Sequence, residues 1–165
     1  MLHPNYPIIE GKYQMTDDWS VTLDQKHNRR FEDKSLVIWR PGFTIWTIVW
    51  NGKEGETPLQ RFRSIRDRIP KESTDIVEET KELPYRLSYR LAEKTDDKRQ
   101  PAFYGMVVGP TGHVQISIYF DDAKDLKNAN EIFKSLTPTE AKSEQGGTGQ
   151  PATRSQSKSE GGDKP

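Results

Sequence analysis

The chain has 165 residues, a length that fits one domain rather than two. Its 25 Lys and Arg residues balance its 25 Asp and Glu residues, so it lacks the accumulated positive charge on which non-specific binding to nucleic acid or an anionic membrane rests. Cysteine is absent, which excludes disulfides and thiolate chemistry, and the longest apolar region, Phe43 to Trp50, is interrupted by Thr44 and Thr47 and falls far short of a membrane-spanning helix.

Met1 to Pro7 show no basic stretch followed by an apolar one, so a secretory signal is not expected and a cytoplasmic protein is. The first predicted element is a strand, in which Trp19, Val21 and Leu23 alternate with Ser20, Thr22 and Asp24. A charged loop is expected after it. Leu36 to Trp39 is apolar on both faces. Arg40-Pro41-Gly42-Phe43 then reads as a tight turn, with proline at its second position and glycine, free to take positive φ, at its third. In the next strand Phe43, Ile45 and Val49 fall on one side and Trp46, Ile48 and Trp50 on the other, which implies a central strand covered on both faces.

Asn51 to Gly55 breaks the pattern. Thr57-Pro58-Leu59-Gln60 has the residues of a capping box, with proline in the first turn. Leu59, Phe62, Ile65 and Ile69 form one apolar stripe, and Pro70 ends the helix. Four strands are expected next: a polar edge strand over Thr74 to Thr80, then Tyr85 to Leu91, Ala102 to Val108 and Val114 to Phe120. Leu83-Pro84 separates the first two, and Gly109-Pro110-Thr111-Gly112 reads as a hairpin loop. Asp121-Asp122 is expected to cap a closing helix whose stripe is Leu126, Ala129, Ile132, Phe133 and Leu136. From Thr137 to Pro165 no large apolar side chain occurs, and four basic residues balance four acidic ones. Such a segment cannot offset its ordering entropy, so a domain over 1–136 and a disordered polar tail over 137–165 are expected. Short connections between strands imply a mainly antiparallel sheet of about six to seven strands, α+β in class, with helices packed on its faces.

That layout resembles the PsbP-like proteins, whose α/β/α sandwich also occurs in the nuclear Mog family of Ran-binding proteins and in bacterial domains. The resemblance rests on the Trp19 strand, the hairpin Leu36 to Trp50, the capped helix from Thr57 to Ile69, and the hairpin Tyr104 to Phe120 running into a last helix that ends at Leu136. The segment Ser35 to Gly42, with Trp46 and Trp50, is also similar to a small group of bacterial proteins of unknown role. The PsbP-like layout implies a binding module, since members bind different partners and some bacterial ones act as chaperones for secreted toxins. It carries over no functional residue.

His3, His27 and His113 have no partner at metal-ligand spacing, and neither a metal nor a cofactor is expected. His113, beside a turn glycine, reads as a solvated turn residue. Asp121, Asp122 and Asp125 read as helix-capping acids rather than a cation site, and Glu78-Glu79 and Asp96-Asp97 as solvated charges. The loop Gly109 to Gly112 leads into a strand and so cannot cradle a phosphate at a helix N-terminus. Gly52 to Gly55 does precede a helix, but Glu54 opposes an anion there. Arg61, Arg63, Arg66 and Arg68 read first as the solvated face of an amphipathic helix, and second as a patch for phosphates or an acidic partner. Trp39, Trp46 and Trp50 read as core residues or as anchors of a binding groove, with Trp50 the most exposed of them. Arg86 and Arg90, two apart on one strand face, can pair with acids or stack on rings across the sheet.

The candidate binding residues are therefore Trp39, Trp46, Trp50, Arg61, Arg66, Arg86 and Arg90, and no catalytic residue is assigned. The function expected is a non-enzymatic protein-binding module of the adaptor, chaperone or toxin-neutralising type. Its partner is expected to be another protein, not a membrane and not nucleic acid. Two alternatives remain open. An enzyme would use His113 or the acids near Asp121 and would gather one of them, with a perturbed pKa, in a concave pocket. A nucleic-acid binder would use the arginine helix and the tyrosines, against the neutral net charge.

Overall fold

The computed structural model describes residues 1–94 and 99–140. Its nine strands are β1 (Ile8–Gln14), β2 (Trp19–Glu32), β3 (Ser35–Arg40), β4 (Phe43–Asn51), β5 (Thr74–Glu79), β6 (Tyr85–Leu91), β7 (Ala102–Val108), β8 (Gly112–Phe120) and β9 (Thr137–Pro138). Helix α1 (Pro58–Arg66) lies between β4 and β5, and α2 (Asp125–Ser135) between β8 and β9. The strands form one sheet in the order β1-β2-β3-β4-β8-β7-β6-β5, with β9 added beside β2, and every pairing is antiparallel.

The β3–β4 hairpin turns where Pro41 and Gly42 demand it, with Gly42 at φ 71°. Alternation along these two strands then sorts side chains by face. Leu36, Ile38, Phe43 and Ile45 enter the main core with Ile116, Ile118 and Phe120 of β8. Helix α2 closes that core through Ala129, Ile132, Phe133 and the following Leu136. Two arginines fasten it. Arg40 reaches Asp125 in its first turn at 2.7 Å. Arg86 donates to the carbonyl oxygens of Phe133 and Leu136 at 3.0 and 2.7 Å, satisfying acceptors that a helix end leaves open. Phe133 sits over Gly105 of β7, where a Cβ would come within 2.5 Å of its ring.

Helix α1 forms the expected capping box: the Thr57 hydroxyl accepts from the Gln60 amide at 3.1 Å, and the Gln60 side chain accepts from the Thr57 amide at 2.9 Å. It packs Phe62 and Ile65, with Ile69 beyond its end, on Leu87, Met106 and Val108 in a smaller second core. These β7 residues alternate with Phe103 and Val107 of the main core, so α1 lies on the other face, chiefly over β6 and β7.

Several expectations are corrected. The architecture is not an α/β/α sandwich of six to seven strands between helical layers. The described residues form a sheet of nine strands with two short helices, and among them most of the α1 face carries no helical layer. The charged loop expected after Asp24 is strand: β2 runs on to Glu32, held by β1 along one stretch and β3 along the next. Strand β1 was not expected, because Ile8 and Ile9 are adjacent rather than alternating and Gly11, at φ 72°, marks a register shift. Helix α1 ends at Arg66 rather than Ile69. Asp121 and Asp122 precede a turn instead of capping α2; Asp122 accepts from the Lys124 amide at 2.9 Å, and α2 begins at Asp125. Thr137 and Pro138 form β9. Residues 141–165 of the expected tail, and Asp96-Asp97, lie outside the described residues.

Candidate functional site: a cavity between helix α1 and the sheet

A cavity of about 440 Å³ opens where α1 crosses the ends of β4 and β8. The ladder places Trp50 opposite His113 and Asn51 opposite Gly112. Helix α1 and the turn after it contribute Arg61, Ile65, Arg68 and Ile69, and the sheet floor contributes Tyr89, Met106 and Gln115. Lys53 and Glu56, from the loop before the helix, complete the rim.

Arg61 is the hub of this site. Only 7% exposed, it donates from Nη1 to the Asn51 carbonyl at 3.0 Å and to Nδ1 of His113 at 2.9 Å. Its Nε lies 2.9 Å from a Glu56 carboxylate oxygen. A guanidinium can only donate, so Nδ1 of His113 must accept and the ring proton resides on Nε2. Burial, reinforced by the Arg61 charge and opposed by Glu56, pushes the His113 pKa down to about 4. Near neutral pH the ring is therefore an uncharged donor aimed through Nε2. Its face is covered by the Trp50 indole, stacked at 6.3 Å and 15°.

The charges around the cavity do not cancel. Glu56 is engaged by Arg61. Lys53 and Arg68 have no ion-pair partner among the described residues.

Beyond the cavity the same sheet face stays half-open. Thr44, Trp46 and Ile48 of β4 and Gln115, Ser117 and Tyr119 of β8 are all half-buried. Tyr104 links this face to the cavity: it stacks on Tyr89 at 5.4 Å, meets Tyr119 edge-on at 6.3 Å, and its hydroxyl bonds to Glu93 and Tyr119. Burial, and then the Glu93 hydrogen bond, raise the Tyr104 pKa above the usual phenol range, so it stays protonated. A second depression, of about 580 Å³, lies over Thr44, Trp46 and Tyr119 and includes Asp121.

The structure splits the sequence candidates. Trp50 (48% exposed) and Arg61 meet in the cavity. Trp46 follows on the same face, and Trp39, half-buried, lies one strand further on, with Tyr6 edge-on at 5.0 Å and Arg30 over its ring. Arg66 points away and pairs with Glu78 at 2.6 Å. Arg86 and Arg90 are on the opposite face, over Phe133 and Phe120; Arg90 also donates to the Pro101 carbonyl. Two sequence readings are corrected here. Arg61 is not on a solvated face, and His113 is a strand residue rather than a solvated turn residue. Signals for both were present. Arg61 precedes Ile65 by four and Ile69 by eight residues, which puts it on the inward flank of the stripe. His113 begins the alternate row His113, Gln115, Ser117, Tyr119 of β8. Arg68 is one of the arginines the sequence offers as a patch for phosphates or an acidic partner; nothing local marks Lys53, whose role depends on α1 meeting β4.

Comparison with known proteins finds no matching family model, curated protein or solved structure. Among the described residues no helix is long and apolar enough to cross a membrane.

Proposed function

We propose that the chain is a non-enzymatic module that binds a protein partner on the half-open sheet face of β4 and β8. The observation that carries this reading is the face itself. Thr44, Trp46 and Ile48 stand beside Ser117 and Tyr119 with no helix of the described residues over them, while half-exposed Trp50 closes the row. Large aromatic rings edged by hydroxyls and amides supply contact area at low entropic cost together with hydrogen bonds. Such a surface acts mainly through apolar contact, so its binding tolerates moderate salt, unlike attraction to phosphates. The test is capture of partners by the full chain and by a Thr44→Arg/Trp46→Arg variant of unchanged thermal stability. The parent should retain a specific protein at moderate salt and the variant should release it. Identical retention by both, or none by the parent, refutes the reading.

A second reading, an enzyme built on His113, draws on the position of that ring in a concave site. The tautomer limits what it can do. Nδ1 is occupied by Arg61 and Nε2 already holds a proton, so the ring does not serve as a general base near neutrality. What remains is a neutral donor able to polarise a bound carbonyl. His113→Asn separates the readings: it would abolish turnover by an enzyme and leave partner capture on the Trp46 face intact.

A further inference from the structure

The geometry points to the α1 cavity as a binding site for a small carboxylic acid with a flat aromatic body. This site adjoins the open face at Trp46, sharing Trp50 with it, and does not depend on the protein-binding reading. Three observations carry it. The volume, about 440 Å³, falls within the range of small-molecule sites. Part of the lining is suited to a planar apolar group: the Trp50 indole, half exposed, lines the cavity together with Ile65, Ile69 and Met106. The remaining lining is short of negative charge. Glu56 is held by Arg61, while Lys53, Arg68 and the Nε2–H of His113 are donors without a protein acceptor among the described residues.

Those features select among ligands. A cation would meet Lys53 and Arg68 of like sign. A neutral aromatic would stack on Trp50 but leave both cations uncompensated. An inorganic anion would satisfy the cations and waste the apolar wall. A carboxylate on an aromatic frame satisfies both parts, with its oxygens accepting from Nε2–H of His113 and from the flexible ammonium and guanidinium groups. His113 is suited to this role because burial, and then Arg61, keep it uncharged without help from the ligand.

The test uses the full chain and calorimetric titration with 1-naphthylacetate, the uncharged 1-naphthylacetamide, and inorganic phosphate, beside nuclear magnetic resonance of the Trp50 indole N–H. The acid should bind and shift that resonance. The amide should bind at least about tenfold more weakly, and phosphate should not bind measurably. A Lys53→Ala/Arg68→Ala variant should lose at least about tenfold in affinity for the acid and keep its affinity for the amide. Neither residue holds an ion pair, so the variant should fold as the parent does, checked by an unchanged backbone spectrum. Absence of acid binding at millimolar concentration, a smaller difference between acid and amide, phosphate binding as tight as the acid, or undiminished affinity in the variant would each overturn the assignment.

Discussion

The imidazole of His113 is held uncharged between a buried guanidinium and a stacked indole, and acid acts on that arrangement directly. Its pKa falls from 6.5 in the free side chain to about 4 in the fold. Between those values the unfolded chain binds a proton that the folded one refuses. The stabilisation is complete above pH 6.5 and is lost as pH falls through about 4. His27 acts in the same direction. It is fully buried, its Nδ1 bonds the Gln25 carbonyl at 2.7 Å, and burial lowers its pKa despite that bond. His113→Asn keeps an acceptor for Arg61 but cannot titrate. Denaturant unfolding between pH 7.5 and 4.5 should therefore show a shallower loss for the variant. The two curves should differ by on the order of 1–2 kcal/mol at the acid end, after discounting for solvent at the half-buried ring. Parallel curves would show that His113 is not held neutral. None of this residue-level chemistry was legible locally, since Arg61 and His113 are brought together only by the fold. The periodicities place each on an inward or alternate row without naming the partner.

Elements were legible where a short-range rule sets them. Pro41-Gly42 fixes the β3–β4 turn and Thr57 with Gln60 fixes the start of α1, because each is a local steric or hydrogen-bonding demand. The far half of β2 was not legible. Its Lys26, Arg29, Arg30 and Glu32 look like loop, yet the β1 and β3 ladders and burial of His27 and Asn28 override that composition. The seat of α2 was equally hidden, since it depends on a missing side chain. At Gly105 a Cβ would stand 2.5 and 2.6 Å from Phe133 ring carbons and 2.9 Å from Ile116 Cγ2. Gly105→Ala should cost about 1–3 kcal/mol in unfolding free energy, as overpacking of a closed core does. Adding Phe133→Leu should recover part of that loss. A Gly105→Ala protein as stable as the parent would show that α2 can lift from the sheet without penalty.

For the whole molecule, composition and neutrality indicated one domain but not the order of its strands. That order pairs β4 with β8, more than 60 residues apart in the chain and beyond any local pattern. It also grades the stability of the sheet. β4 and β8 are paired along both sides, whereas β5 has only β6, is exposed throughout, and shifts register beside Asp75 at φ 50°. Hydrogen exchange should release the amides of β5 well before those of β4 and β8. Equal protection across the sheet would mean that it opens only as a unit.

Strand β9 sets where the last described residues lie on the fold. It pairs Pro138 with Trp19 and Thr137 with Ser20, and Thr139 donates to the Asp18 carbonyl at 2.7 Å. Thr139 and Glu140 share a depression with Pro110 and Thr111. Thr111 in turn accepts from the Gly52 amide at 2.7 Å, one residue from Asn51 on the cavity rim. The amino-terminal residues are held elsewhere, with His3 bonded to Asn28 and Tyr6 against Trp39, whose partner Thr44 lies toward the opposite end of β4 from Trp50. Position 140 and the amino terminus are therefore unequal as attachment points. A short peptide or dye attached through the side chain at position 140 is tethered near the cavity at an effective concentration of roughly millimolar, enough to compete with a weak free ligand. The same group joined before Met1 is anchored away from it, which makes the amino terminus the end on which to immobilise or label the protein.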